Sequence, residues 1–292
     1  MVRKAIIPVA GLGTRVLPAS KAIPKEMLPI IDKPAIQLVV EEAVKAGIKE
    51  IILVTRSGKE AIENHFDKHY ELESELARKG KDAILEAVSG LIPDDVTILA
   101  IRQPEAKGLG HAVLCAAAAT GDEPFAVLLP DVLVDCDDDG IHDLSQMIAN
   151  FAKDGSCQVM VNAVAEQDIS KYGIADCSDK PAPGESAPVK GFVEKPSAEE
   201  APSNYAVVGR YVFPARIMAL LADTQPGAGD EIQLTDAMDT LLKDDPMSIY
   251  CMSGQTFDCG NKPGYFEAVF HYGLKHPDTK DFALNLIKKV SV

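Results

Sequence analysis

Ala5-Ile6-Ile7-Pro8-Val9-Ala10-Gly11-Leu12-Gly13-Thr14-Arg15, residues 5–15, sets a short β-branched run directly against a glycine turn. The apolar stretch is too short for a signal peptide and breaks at once into Gly11-Leu12-Gly13, so Ala5 to Val9 reads as a buried first strand. Glycines in that place bring backbone N–H groups close to an anion at the carboxyl edge of a sheet, where nucleotide phosphates bind. Val16 stands where a dinucleotide fingerprint needs its third glycine, and no Gly-Lys-Ser/Thr follows, so neither that fingerprint nor the P-loop fits. A nicotinamide-dependent oxidoreductase is thereby excluded. On these residues alone a plain glycine turn explains the segment equally well.

The next segment shifts that balance. Prolines at 18, 24 and 29 forbid a long helix, so Ser20 to Ile30 is a pinned loop. Arg15, Lys21 and Lys25 then form an electropositive patch in a chain of 292 residues whose 44 acidic side chains outnumber 29 Lys and Arg, for a net charge of -15. Such a patch suits a triphosphate, whereas the overall charge disfavours wrapping around nucleic acid. No apolar run approaches the roughly 18 residues that span a bilayer, so no membrane partner is expected. Six cysteines without a CxxC spacing fit free thiols in a reducing, cytoplasmic setting.

Around this core the first half alternates strands and helices. Strands are expected at Ala5 to Val9, Glu50 to Thr55, Thr97 to Ile101 and Phe125 to Leu129. Ile36 to Ala46 has apolar residues at helical spacing and closes at Gly47. Lys59 to Val88 reads as a solvated helical region interrupted near Gly80. Further on, Ser156 to Ala165, Gly173 to Asp176, Lys190 to Glu194 and Val207 to Phe213 recur with fewer helices between them, which predicts antiparallel additions. The fold class is therefore α/β, Rossmann-like: a mixed, mainly parallel sheet flanked by helices, with additional antiparallel strands. Lys180 to Pro188 reads as a surface turn. No linker separates two domains.

AGLGTRVLPASKAIPKEMLPIIDKPAIQ at 10–37 closely resembles the signature of the bacterial glucose-1-phosphate uridylyltransferases, a family of sugar-nucleotide pyrophosphorylases. The resemblance continues in order through RQPEAKGLGHAVLCA at 102–116, LLPDVLVD at 128–135, GFVEKPSAEEAPSNYAVVGRYVF at 191–213, PGAGDEIQLTDA at 226–237 and FDCGNKPGY at 257–265. It implies the nucleotide-diphospho-sugar transferase fold over 1–292, with a nucleotide-binding part at about 1–135 and a sugar-binding and oligomerisation part at about 136–292. It also implies a homodimer or homotetramer, Mg2+ as cofactor, and formation of UDP-glucose and pyrophosphate from UTP and glucose 1-phosphate.

In such a reaction a sugar phosphate oxygen attacks the α-phosphorus of UTP. The phosphate monoester, with a second pKa near ~6, is already ionised, so no strong general base is needed. The difficulty is electrostatic: at about 4 Å and an effective dielectric near 20, two like charges repel by roughly 4 kcal/mol. The family resemblance assigns Arg15 and Lys25 to the UTP phosphates, Lys195 to the incoming sugar phosphate and Glu194 to sugar hydroxyls. Asp131, at the end of the fourth strand, and Asp258 are the expected Mg2+ ligands. Gln103 is the expected uracil reader, since a side-chain amide can both donate and accept. Ala10, Gly11, Gly13, Thr14, Glu26 and Gly108 complete the expected nucleotide pocket, and Gly173 and Gly209 the sugar pocket, although either of the last two could equally be a bulge or packing glycine.

Two motifs carry no chemistry in this reading. Asp135 to Gly140 imitates an EF-hand opening, but its twelfth position is Gln146 and a strand precedes it. His65 and His69 lie four apart without an HExxH motif, so they are expected to face solvent or cap a helix.

Overall fold

The computed structural model describes residues 1–136 and 142–290. Its strands run, in chain order, β1 (Lys4–Pro8), β2 (Pro29–Ile30), β3 (Lys33–Pro34), β4 (Glu50–Thr55), β5 (Thr97–Arg102), β6 (Phe125–Leu128) and β7 (Val132–Asp135). There follow β8 (Cys157–Ala163), β9 (Gly173–Asp176), β10 (Ser186–Pro188), β11 (Gly191–Glu194), β12 (Tyr205–Phe213), β13 (Met247–Cys251) and β14 (Gln255–Asp258). Among the described residues the main sheet has ten strands, in the order β10-β13-β8-β12-β6-β1-β4-β5, with β9 and β11 attached beside β12.

β6, β1, β4 and β5 are mutually parallel; β6, β1 and β4 are buried on both faces, whereas the edge strand β5 is largely exposed. Strands buried on both faces must be apolar throughout rather than alternating. Ile6 and Ile7 of β1 are both fully buried, yet they point into separate clusters on opposite sides of the sheet, as successive strand residues must. Phe125 and Val127 share the side of Ile6, while Ala126 and Leu128 share that of Ile7.

From β1 the chain winds to β4 and β5 on one side and returns to β6 on the other. The carboxyl ends of β1 and β6 therefore flank a switch point, the crevice in which open α/β sheets bind ligands. The glycine turn leaves β1 there, and Asp131 follows β6.

The expected strands are present with ends moved by a residue or two, as strand edges commonly are. Three differences have physical causes. The region 59–88 breaks twice, into Glu60–Phe66, Tyr70–Arg78 and Asp82–Ser89. The additional break comes where His69 Nδ1 accepts the Leu72 N–H at 3.2 Å and Glu73 accepts the His69 N–H at 3.0 Å, a reciprocal cap. The proline-rich turn after residue 180 ends earlier than expected, because Ser186–Pro188 pairs antiparallel with β13 at the sheet edge. The second half is also not purely antiparallel, since β13 lies parallel to β8. Asp137 to Gly140 of the acidic loop lies outside the described residues. No helix among the described residues is long and apolar enough to cross a membrane.

Ile52 is fully buried at the centre of β4. Ile52→Ala should lower the unfolding free energy by about 2–5 kcal/mol in urea titrations, and a loss below about 1 kcal/mol would contradict this placement of the core.

Candidate active site

Two strands that the sequence reading overlooked, β7 and β14, bring the acidic residues together. They pair antiparallel with Val132 opposite Asp258, and the Cys259 N–H donates to the Asp131 carbonyl at 2.7 Å. Asp131 and Asp258 thus sit side by side although 127 positions separate them in sequence. Asp258 is oriented by the Gly260 N–H on Oδ1 and by Asn261 Nδ2 on Oδ2, both at 2.8 Å. Asn261 in turn caps the helix Lys262–Lys275 by accepting the Gly264 N–H at 2.9 Å.

Gly260 is a second feature missed from sequence. A Cβ built there would lie 2.6 Å from Arg15 Nη2, 2.7 Å from Asp131 Oδ2 and 2.8 Å from Asp258 Oδ1. The absent side chain therefore leaves a cradle between two carboxylates and a guanidinium. The only advance signal was a glycine inside Phe257-Asp258-Cys259-Gly260-Asn261, which carries no periodicity to interpret.

The pinned basic loop supplies the countercharge. Lys25 Nζ reaches Asp131 Oδ2 at 2.5 Å, and Arg15 spans Asp131 at 3.4 Å and Asp258 at 3.7 Å. Burial would raise the Asp131 carboxyl, but Lys25 beside it, helped by Arg15, holds it below the usual carboxylate range. Ala10, Gly11, Gly13 and Thr14 form the turn above these groups. At Gly13, φ of 67° and only 3.2 Å from a built Cβ to the Cβ atoms of Ser20 and Lys25 require glycine, and Ser20 Oγ donates to its carbonyl at 2.7 Å. The turn is stacked on the stem of Lys25.

Arg210 fixes the other wall. It is fully buried on β12, and its guanidinium donates to both carboxylate oxygens of Glu42 at 2.9 and 2.7 Å. Its remaining bonds go to the carbonyls of Leu129 at 3.1 Å, Val132 at 2.7 Å and Gly209 at 3.3 Å. Residues 129 and 132 bracket Asp131, so this planar fork grips the turn that aims the carboxylate. A sequence reading expects arginine at a surface, and nothing in the alternation of β12 announces it.

On the nucleotide side, Gln103 is buried and its Nε2 serves the Gly108 carbonyl at 3.2 Å and His111 Nδ1 at 3.0 Å. The donating half of the amide is therefore engaged within the protein, which leaves Oε1 for a ligand. Gly108, with φ of 88°, has no room for a side chain: a Cβ would meet Glu231 Cβ at 2.7 Å and the Ile232 carbonyl at 2.9 Å. Glu26 is buried against Lys59, with Oε2 at 2.7 Å from Nζ, while its Oε1 is buried without any partner. Burial pushes the Glu26 carboxyl up and the Lys59 amine down, each opposed by the attraction of the other. An orphaned buried acceptor is costly unless a ligand supplies a donor.

The residues expected to hold the sugar lie on β9, on β11 and directly after it. Glu194 ends β11 opposite Gly173, whose missing Cβ leaves 3.1 Å to Glu194 Oε2. Lys195 follows with φ of 47°, its Nζ 2.7 Å from Glu194 Oε1, and both side chains are exposed. They touch each other rather than the carboxylate pair. The Lys195 N–H is fixed to the Tyr172 carbonyl at 3.1 Å. Burial first, then the charge of Asp258, pushes the Tyr172 phenol up, while Lys171 and then Arg15 oppose it. Gly209 lies in a bulge of β12, and a Cβ would strike Leu129 at 2.8–3.0 Å. Packing against Leu129 is by itself enough to require glycine there. His65 bonds Gln37 at 3.0 Å and His69 caps a helix, and neither joins a metal-ligating group.

The profile of the nucleotidyl transferase family matches residues 4–273. A UTP–glucose-1-phosphate uridylyltransferase of Escherichia coli strain K12 is 55% identical over 278 residues, covering 94% of this chain and 91% of that protein. A UTP-bound UDP-glucose pyrophosphorylase from Acinetobacter baumannii superposes with a TM-score of 0.93 at 52% identity, covering 98% of this chain and 99% of the other. A UDP-glucose pyrophosphorylase complexed with UDP-glucose superposes with a TM-score of 0.85 at 40% identity, covering 94% and 100%.

Gly260→Ala tests the cradle. The atoms it would displace are the ends of flexible side chains, so the unfolding free energy should change by less than about 1 kcal/mol. Uridylyl-transfer turnover should nevertheless fall about 100-fold or more. Turnover close to that of the unaltered enzyme would contradict the geometry.

Proposed function

Because the chain belongs to the nucleotidyl transferase family, we propose that it joins UTP to glucose 1-phosphate, forming UDP-glucose and releasing pyrophosphate. The observation that carries this reading is the meeting of Asp131, Asp258, Arg15 and Lys25 at the carboxyl ends of β1 and β6.

The chain's residues act mainly through charge. Arg15 and Lys25 hold the triphosphate, whose negative charge they offset as the attacking phosphate approaches. Lys195 holds the sugar phosphate and, with Glu194, orients the hexose so that one phosphate oxygen lies in line with the α-phosphorus. Gly173 gives Glu194 room to do so. Gln103, its amide nitrogen anchored, presents its oxygen to the N3–H of uracil, and Glu26 completes the pocket. Ala10, Gly11, Gly13 and Thr14 supply backbone around the nucleotide, and Gly108 shapes the wall behind the base.

Mg2+ suits this donor set: two carboxylates beside the space left by Gly260 provide hard oxygen ligands, and magnesium needs only one or two such ligands besides phosphate oxygens and water. When bound, it neutralises charge on the phosphate oxygens. Among the described residues no group of three or more His, Cys, Asp or Glu side chains converges.

Six free thiols support a cytoplasmic location. Phe266 and Phe282, 71% and 66% exposed on the last two helices, support a homodimer or homotetramer formed through the sugar-side part at about 136–292.

A pyrophosphate-release assay over UTP, dTTP and CTP, each with glucose 1-phosphate and galactose 1-phosphate, tests the assignment. UTP with glucose 1-phosphate should give the highest kcat/KM, and preference for another pair would overturn it. Lys195→Ala should raise the KM for glucose 1-phosphate roughly tenfold or more, with that for UTP nearly unchanged. Equal rises for both substrates would remove Lys195 from the sugar phosphate.

A further inference from the structure

Gln103 leaves β5 with its N–H on the Thr55 carbonyl at the end of β4, at 2.8 Å, so its side chain starts from a fixed point. The amide meets the helix Gly108–Cys115, which is itself pinned at its start. There the Gly110 N–H donates to the Ile232 carbonyl at 2.9 Å, and the Ile232 N–H donates to the Lys107 carbonyl at 2.8 Å.

A carbonyl can only accept, so the half of the Gln103 amide 3.2 Å from the Gly108 oxygen is its NH2 group. The same nitrogen lies 3.0 Å from His111 Nδ1, which must then accept the second amide hydrogen. With a lone pair on Nδ1, the proton of the neutral ring is on Nε2. Nε2 lies 3.8 Å from Cys115 Sγ, four residues on along the same face of the helix. Burial pushes the Cys115 thiol up, so it remains a thiol whose sulfur accepts from Nε2. Carbonyl, amide, imidazole and thiol thus each have one permitted role, set from the carbonyl outward. Among the described residues His111 bonds neither to the carboxylate centre nor to its cations.

We propose that His111 is a positioning residue for base choice: it holds the Gln103 amide with oxygen, not nitrogen, toward the nucleobase. The proposal rests on the uridylyl-transfer reading with Gln103 at the base. Turning the amide over would set Oε1 against the Gly108 carbonyl and the Nδ1 lone pair, exchanging two hydrogen bonds for two contacts between acceptors. Gln103 is buried, so little water is at hand to make up the loss. Uracil brings an N3–H to the presented oxygen, whereas cytosine brings an N3 lone pair, so the fixed amide accepts one base and repels the other. Without His111 only the Gly108 carbonyl opposes the turned amide, whose NH2 group suits cytosine.

The test is the ratio of kcat/KM for UTP to that for CTP, each with glucose 1-phosphate. His111→Leu should lower it about tenfold or more. His111→Asn should restore most of it, because Oδ1 is bonded to Cγ as Nδ1 is and accepts the same hydrogen. A merely structural role would lower both kcat/KM values and leave their ratio alone. In NMR of protein labelled with nitrogen-15 histidine, the signals absent from His111→Asn should belong to an unprotonated Nδ1 and a protonated Nε2. A ratio unchanged in His111→Leu, a ratio lowered equally in both variants, or a protonated Nδ1 would overturn the proposal. Equal use of UTP and CTP by the unaltered protein would instead sink the placement of Gln103 at the base, and failure to form UDP-glucose would sink the uridylyl-transfer reading. In either case the nitrogen signals still decide whether His111 holds the amide in this orientation.

Discussion

Holding two carboxylates together against their mutual repulsion is the constraint around which this molecule is organised. Asp131 and Asp258 are forced into proximity by backbone bonds, namely the β7–β14 pair and the Cys259 N–H on the Asp131 carbonyl, so their approach does not depend on attraction between side chains. Arg15 and Lys25 then offset the charge from a loop that its prolines prevent from becoming helix. The result is a preorganised centre whose charges need little rearrangement when anionic substrates arrive.

Arg210 shows how the scaffold serves that centre. Burying a guanidinium is favourable only when its hydrogen-bonding capacity is met, and a hydrophobic replacement of similar volume is often no less stable. Its partners show what the arginine provides beyond stability: Glu42 on the helix after the nucleotide loop, Gly209 on β12, and the two carbonyls bracketing Asp131. One buried side chain thereby ties three segments into a common geometry. Glycines at 108, 209 and 260 are needed for related reasons, each where a Cβ would collide with a neighbouring wall of the same region.

The parallel block was legible in the sequence because strands buried on both faces leave unmistakable apolar runs, as Glu50–Thr55 and Phe125–Leu128 do. β7, β13 and β14 were not, since strands of four or five residues beside turns carry too little pattern to separate from loops. Among site residues, Arg15, Lys25, Asp131 and Asp258 were found through the family signature, and they lie together in the structure. Gly260 and Arg210 escaped for opposite reasons. A glycine's value lies in an absence that only three-dimensional neighbours define, and an arginine's burial depends on partners 168 and about 80 positions away. At Gly209 a strand pattern does not separate a bulge glycine from a ligand-facing one, and the need for glycine there follows from Leu129 packed against it.

The most direct test of convergence at this rim is paramagnetic resonance of Mn2+ titrated into the protein with UTP present, comparing the unaltered chain with Asp131→Asn and Asp258→Asn. Both substitutions should nearly abolish the bound-ion signal as well as turnover, although the two positions lie in distant parts of the sequence. Undiminished Mn2+ binding and activity in either variant would show that the two carboxylates do not form one centre.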